Sequence, residues 1–398
     1  MSEQIVKQRT RGFICTNAHP EGCAQRVQQQ IAIVEQLKPA GIAGPKKVLI
    51  IGSSTGYGLA TRIATAWGFG AETLGVFYER PPQGKKTASA GYYNSVAFEH
   101  LARNRGLSAS SINGDAFSTE CKQQTIDQVR SKMGALDLVI YSLASPRRIH
   151  PATGEIYNSA LKAIDVPYVG KTVDITHGTV DEVEIPTASD LEITATTAVM
   201  GGEDWRMWID ALRSENLLAE GARTLAYSYI GPELTWPIYR HGTIGVAKEH
   251  LEQTARSIHA DLKTQFNGGA WVSVNKAVVT QASAAIPVVP LYLSLLLPVM
   301  KNKGIHEGVI EQMCRLAFNH LAEGCVVLTD SRNLIRLDDL EMREDVQAEV
   351  VQLWKKVSTE NVEKISDIAG FRREFNNLFG FDVDGVDYDA TTETEIFL

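Results

Sequence analysis

From Lys47 onward, short unbroken apolar runs alternate with longer stretches in which apolar residues return every three or four positions. A short apolar run bounded by turn residues fits a strand covered on both faces, and the longer spacing fits the helix that covers it. Their alternation predicts an α/β fold, a Rossmann-type doubly wound parallel sheet. The predicted strands are 48–51, 73–78, 108–112, 136–142, 224–228 and 271–274, with helices between most of them. The gap at 146–221 is longer than a crossover needs and predicts an insertion, with a hairpin around 172–183 and a helix around 205–217. Beyond the sixth strand, Val309, Ile310, Met313, Leu316, Ala317 and Leu321 form one helical stripe over 306–322. The pattern returns at 345–357 and 367–379, the latter stopped by Gly380. No internal repeat or Pro/Ser-rich linker divides the chain. The reading is one enlarged domain over 1–398: an N-terminal arm (1–40), a dinucleotide-binding half (41–145), an insertion near the site (146–221), a catalytic half (222–283), and a substrate-lining segment with C-terminal helices (284–398).

Composition narrows the class. The 398 residues are 44% hydrophobic and 22% charged, which excludes disordered and collagen-like chains. A net charge of −8 argues against a nucleic-acid binder, which carries a basic footprint. The N-terminal residues lack the apolar core of an export signal, and five scattered cysteines, an odd number, suit a reducing cytoplasm. The apolar stretch 284–300 contains Pro287, Pro290 and Pro298, so it predicts no stable membrane insertion. A buried or ligand-lining segment is the better reading.

The run VLIIGSSTGYG places Gly52, Gly56 and Gly58 between the first strand and the first sheet-covering helix. Such a turn lets backbone N–H groups approach a pyrophosphate at the positive end of the helix dipole. The spacing Gly52-x3-Gly56-x-Gly58 departs from G-x-G-x-x-G, and a purely structural turn is the alternative. Context favours a dinucleotide. Glu79 ends the second strand, where a carboxylate accepts hydrogen bonds from ribose hydroxyls and repels a 2′-phosphate, favouring NADH over NADPH. Asp115, after the third strand, is placed to accept from the adenine amino group. Ala144 and Ser145, after the fourth, are small residues at the cofactor edge.

Downstream of the fifth strand lie Tyr229, Tyr239 and Lys248. A phenol that donates to a developing oxyanion, and a cation that holds the ribose and lowers the phenol's pKa, are what nicotinamide-linked reduction requires. On one continuous helix, residues nine apart point to opposite faces. Gly242 and Gly245 offer a way out: a helix capped by Thr243 leaves Tyr239 on a preceding loop, free to turn back toward Lys248, with Ile244, Leu251, Ala255, Ile258 and Leu262 on the buried face. The alternative is two packed tyrosines and a solvated lysine.

The Tyr-x8-Lys pair, the glycine loop, and the runs RGFICTNAHPEGC, YSLASP, MGGEDW, YSYIGPE and VTQASAAIPVVPLY together resemble the FabV class of enoyl-[acyl-carrier-protein] reductases and the related trans-2-enoyl-CoA reductases. The likeness runs from about Val6 to the end of the chain. It implies an enlarged short-chain dehydrogenase/reductase in which NADH delivers hydride to the β-carbon of a trans-2-enoyl thioester of acyl carrier protein or CoA. The resulting enolate is protonated at the α-carbon. Tyr239 then is the proton donor or enolate stabiliser, Tyr229 a substrate-contacting partner and Lys248 the cofactor anchor. Gly52, Ser53, Ser54, Thr55, Gly56, Tyr57 and Gly58 match NAD-contacting positions of the family. So do Tyr78 with Glu79, Asp115 with Ala116, Leu143 with Ala144, and Ala277, Val278 and Val279. The expected state is a cytoplasmic monomer, with a weak dimer as the alternative. The segment 284–300 becomes a wall for the acyl chain, held irregular by its prolines; a core helix or a membrane-touching surface are the alternatives.

Three weaker signals are set aside. Cys15-x3-His19-x3-Cys23 offers three ligands where a structural zinc needs four, so no metal is expected. Asp382, Asp384, Asp387 and Asp389 lack the EF-hand arrangement and read as a solvated acidic tail. Arg147 and Arg148 could meet a phosphopantetheine or an acidic carrier protein, or simply lie on the surface. The competing functions are a ketoreductase using the same Tyr–Lys pair on C=O, and a dinucleotide-sensing protein without turnover.

Overall fold

The computed structural model describes residues 3–11, 14–143 and 145–398. Its central sheet contains β1 (Lys47–Ile51), β2 (Glu72–Phe77), β3 (Ala109–Asn113), β4 (Leu136–Tyr141), β5 (Leu218–Ser228), β6 (Gly269–Val274) and β7 (Leu334–Arg336). The order is β7-β6-β5-β4-β1-β2-β3, and every neighbouring pair is parallel. Successive side chains of a strand face opposite sides. Val48 and Ile50 accordingly join one apolar cluster with Ile63, Leu138 and Met313, while Leu49 and Ile51 join another with Val76, Val139 and Trp208. Burial on both faces is why these strands read as unbroken apolar runs. The chain winds outward through β2 and β3, then crosses to β4 on the other side of β1. That reversal opens a crevice at the carboxyl ends of β1 and β4, where doubly wound folds bind ligands.

All six expected strands belong to this sheet. β5 begins at Leu218 rather than at residue 224, because a register shift between Leu218 and Arg223, with Gly221 at φ 76, leaves a bulge that reads as a loop. β7 was not legible: three residues at the edge carry too short an apolar run. The hairpin in the insertion is present as Tyr168–Asp174 paired with Thr179–Ile185, and the helix after it as Glu203–Ser214. The first forty residues are more than an arm. Helix Pro20–Leu37 buries Val27, Ile31 and Val34 in the core, and His19 caps it, its Nδ1 accepting from Gly22 N–H at 3.1 Å. Cys15 donates to the Asn17 carbonyl and Cys23 is buried, so that triplet caps and packs. The acidic tail is exposed but tied down: Asp382 accepts from Asn376, Asp384 pairs with Arg373 and Asp389 with Lys7.

The segment 284–300 corrects its expectation of irregular backbone. Val289–Asn302 is a helix, buried from Val289 to Leu297. Pro290 sits in its first turn, where an N–H has no partner to lose. Pro298 lies inside and leaves the Ser294 carbonyl without its i+4 donor, and the Asp367 N–H supplies that bond at 2.7 Å. A neighbouring element thus repairs the break. Among the described residues, no helix is long and apolar enough to cross a membrane. Arg148 is corrected too: it is buried rather than presented to a carrier, paired with Glu203 at 2.6 Å and donating to the Ala198 carbonyl.

Candidate active site

At the end of β1 the chain turns through Gly52, at φ 89. A Cβ there would stand 2.0 Å from the Ser142 carbonyl oxygen, and one at Gly58 would stand 1.9 Å from the Gly52 oxygen. Only glycine permits strand, turn and helix Gly56–Phe69 to approach this closely. Thr55, at the N-cap, makes no side-chain cap bond, so the first-turn N–H groups face the crevice without that acceptor. Ser53 is buried against the Val76 carbonyl. Glu79 follows β2 with its carboxylate fixed: Oε1 accepts from the Ser54 hydroxyl at 2.7 Å, and its backbone is bracketed by the Asn113 amide. Gly91 leaves room for it, since a Cβ there would meet Glu79 Oε1 at 2.0 Å. The neighbouring Tyr78 is exposed. Asp115 Oδ1 accepts from the Phe117 N–H, and the Ala116 carbonyl accepts from Lys122. Leu143 is half-buried at the end of β4, whereas Ala144 lies outside the described residues.

Tyr229 follows β5 directly, and Tyr239 closes the short helical turn Trp236–Tyr239. Their rings stand perpendicular with centroids 4.7 Å apart. The expected break between Tyr239 and the long helix is present, with a correction to its details: Gly242 rather than Thr243 is the N-cap of helix Thr243–Phe266, and Tyr239 sits in a helical turn rather than a loop. Both glycines are needed. A Cβ at Gly245 would lie 2.1 Å from the Arg240 oxygen, and one at Gly242 would lie 2.5 Å from the Ile238 oxygen. Thr243 instead donates its hydroxyl to the Ala160 carbonyl, which ties the helix start to the insertion. Lys248 donates to the Tyr227 carbonyl at 3.3 Å, and burial lowers its pKa to about 8. Burial raises the Tyr239 phenol's pKa, with a further contribution from the Glu341 charge. Among the described residues the Tyr239 hydroxyl has no hydrogen-bond partner; that of Tyr229 donates to Glu341 Oε1 at 2.9 Å.

The polar group behind this pair has no signature in the local sequence. Glu341 lies in an acidic stretch, LDDLEMRED, that reads as solvated surface, yet it is fully buried. Lys276 and Tyr292 are buried beside it, the latter concealed as one polar tip in an apolar run. Residues 276–279 continue from β6: the Lys276 carbonyl accepts from the Tyr57 hydroxyl at 2.6 Å, its N–H donates to Gln312, and the Ala277 N–H donates to Glu341. A cavity of about 660 Å³ brings Thr55 and Gly56 together with Lys276, Val278, Val279 and Leu297.

Residues 86–322 match the family model of the trans-2-enoyl-CoA reductase catalytic region, and residues 5–84 that of the NAD(P)H binding domain of trans-2-enoyl-CoA reductase. The chain belongs to the trans-2-enoyl-CoA reductase family. It is 58% identical over 98% of its length to the enoyl-[acyl-carrier-protein] reductase [NADH] of Coxiella burnetii, covering 96% of that protein. Identity to the trans-2-enoyl-CoA reductase [NADH] of Ruminiclostridium cellulolyticum is 55%, over 98% of both chains. The crystal structure of Treponema denticola trans-2-enoyl-CoA reductase in complex with NAD superposes with a TM-score of 0.94, at 48% identity and 99% coverage of both chains. The family resemblance read from the sequence and the Rossmann-type fold are thus borne out, and NADH is the cofactor of this family member.

A third model, the enoyl reductase FAD binding domain, matches residues 329–391. That segment does not fit a flavin dinucleotide. Its strand is the three-residue edge β7, and its described elements contain no strand–glycine turn–helix like that at 51–56. The inward residues Val346, Val350, Val362 and Phe371 pack in one cluster with helix Val289–Asn302. What the segment does bring to the site is Glu341.

Proposed function

We propose that this enzyme reduces the C2=C3 bond of trans-2-enoyl thioesters with NADH, in the final reductive step of fatty acid elongation, and that Tyr239 is its proton donor. The observation carrying the residue assignment is the break at Gly242 and Gly245, which sets a buried phenol, its hydroxyl without a hydrogen-bond partner among the described residues, against a second phenol whose proton is already engaged. Bound NADH supplies the hydride to C3. As electron density moves onto the thioester oxygen, the Tyr239 hydroxyl passes its proton to it, and the enol so formed tautomerises, C2 taking a proton from water while the oxygen returns its own to the tyrosinate. The raised phenol pKa keeps Tyr239 protonated through neutral pH, and the Tyr229 ring supports it edge-on. Lys248, cationic below about pH 8, holds the cofactor ribose.

The glycine turn of 52–58 cradles the pyrophosphate, and Glu79 accepts from the adenosine ribose, its carboxylate pre-set by Ser54. Asp115 and Ala116 border the adenine, Leu143 the cofactor edge, and 277–279 the nicotinamide. Leu297, Val278 and Val279 give the cavity its apolar side for the acyl chain. Five free cysteines support a reducing, cytoplasmic setting.

The test follows NADH oxidation with short and long trans-2-enoyl-CoA substrates, with NADPH in parallel, for wild type and Tyr239→Phe. The expected result is turnover preferring NADH, and a variant that binds NADH but has lost about 100-fold or more in kcat. Wild-type protein that binds NADH yet leaves every enoyl thioester untouched overturns the assignment and points to carbonyl substrates.

A further inference from the structure

A carboxylate withdrawn from water is expensive unless every lone pair facing the protein finds a donor. Glu341 meets that demand across three separate elements. Oε1 accepts from the Tyr229 hydroxyl at 2.9 Å, after β5, and from the Tyr292 hydroxyl at 2.7 Å, on helix Val289–Asn302. Oε2 accepts from the Ala277 N–H at 2.7 Å, after β6. Gln347 closes the group, donating to the Tyr292 hydroxyl and to the Glu341 carbonyl. Lys276 is the nearby cation, its ammonium donating to the Ala277 carbonyl at 2.7 Å, so both polar atoms of the Ala277 backbone are held.

The geometry has a direction. A carboxylate is an acceptor only, so each of its hydrogen bonds draws a proton toward it. The Tyr229 proton therefore points at Glu341. An amide could still receive the two hydroxyls on its oxygen, but its NH2 would then confront the Ala277 N–H. Burial raises the Glu341 pKa, Lys276 and the three donors oppose that rise, and an amide cannot receive all three.

We propose that Glu341 is a positioning residue of the reductase: through Tyr229, Tyr292 and the Ala277 N–H it locks the Tyr229 ring against Tyr239 and fixes the 277–279 backbone, leaving Tyr239 as the hydroxyl that meets the substrate. The inference rests on the enoyl-reductase reading. It assigns the 329–391 segment a task in the reaction geometry in place of flavin binding.

A double-mutant cycle on the full-length enzyme tests it, using wild type, Glu341→Gln, Tyr229→Phe and the double variant, with trans-2-enoyl-CoA and NADH. Glu341→Gln is expected to lose between about tenfold and a hundredfold in kcat, with the KM for the thioester within about threefold of wild type, as misalignment without lost ground-state contacts requires. The kcat loss on adding Glu341→Gln is expected to be at least about threefold smaller in the Tyr229→Phe background, because both changes act through one hydroxyl. Wild-type kcat in Glu341→Gln, or losses that simply multiply, overturns the proposal. Wild type inactive on every enoyl thioester fails the underlying reading instead. Should Glu341→Gln not fold, Tyr292→Phe decides: this hydroxyl is buried, donates to Glu341 and accepts from Gln347, which is itself tied to the Glu341 carbonyl. A kcat loss of about threefold or more supports the proposal, and wild-type kcat overturns it.

Discussion

Lys248 is half-buried, its ammonium held by the Tyr227 carbonyl and its charge disfavoured by burial, with Glu252 offsetting part of that penalty. A lysine whose pKa falls to about 8 is cationic below that pH and neutral above it. If its charge anchors the cofactor, kcat/KM for NADH should be level at lower pH and decline as pH rises through about 8. In Lys248→Arg, which stays charged, the alkaline limb should move beyond the measurable range. A pH profile of both proteins checks this, and an unmoved limb assigns the titration to another group. Residues of this kind were legible because local spacing carries them: Tyr239 and Lys248 are separated by two glycines that break the helix between them. Glu341 was not, because nothing near it in the chain distinguishes it from the surface acids beside it. Its donors come from Tyr229, Ala277 and Tyr292, and only the fold brings them to one point.

Among the elements, the hinge between Trp236–Tyr239 and Thr243–Phe266 is tightly constrained by sterics. At Gly245 a methyl group would stand 2.1 Å from the Arg240 oxygen, a backbone atom with no rotamer to yield. Gly245→Ala should therefore cost about 1–3 kcal/mol of stability. By displacing Tyr239 it should also lower kcat by more than about tenfold. Thermal unfolding and turnover measured on the same preparation check both effects. The same scale shows where sequence patterning misleads. Prolines in 287–298 argue for broken backbone, yet helix Val289–Asn302 persists because the Asp367 N–H satisfies the carbonyl that Pro298 abandons. A break repaired by a distant element leaves no local trace. Helix Pro20–Leu37 was missed for a related reason: Val27, Ile31 and Val34 have helical spacing, but their partners come from helices Gly56–Phe69, Ala90–Asn104 and Val309–Leu316.

Across the molecule, the alternation of apolar runs was sufficient to reveal the doubly wound sheet, since strands buried on both faces announce themselves. The edge strand β7, the ribbon joining Glu3–Gln4 to Thr392–Glu393, and the entry of residues 329–391 into the site were not readable, as each depends on pairing across long separations. The Tyr229–Glu341 hydrogen bond spans 112 positions of the chain. A contact that closes so large a loop forms late unless local structure prepares it. A growing polypeptide that has already exposed both tyrosines and the lysine still lacks the partner of Tyr229, so the site is assembled from its far end backward in time. On dilution from denaturant, the recovery of enoyl reduction should therefore lag behind the return of far-ultraviolet helical signal. Stopped-flow circular dichroism set against timed activity samples measures the interval, and coincident recovery would mean that the last-made segment docks as early as the first.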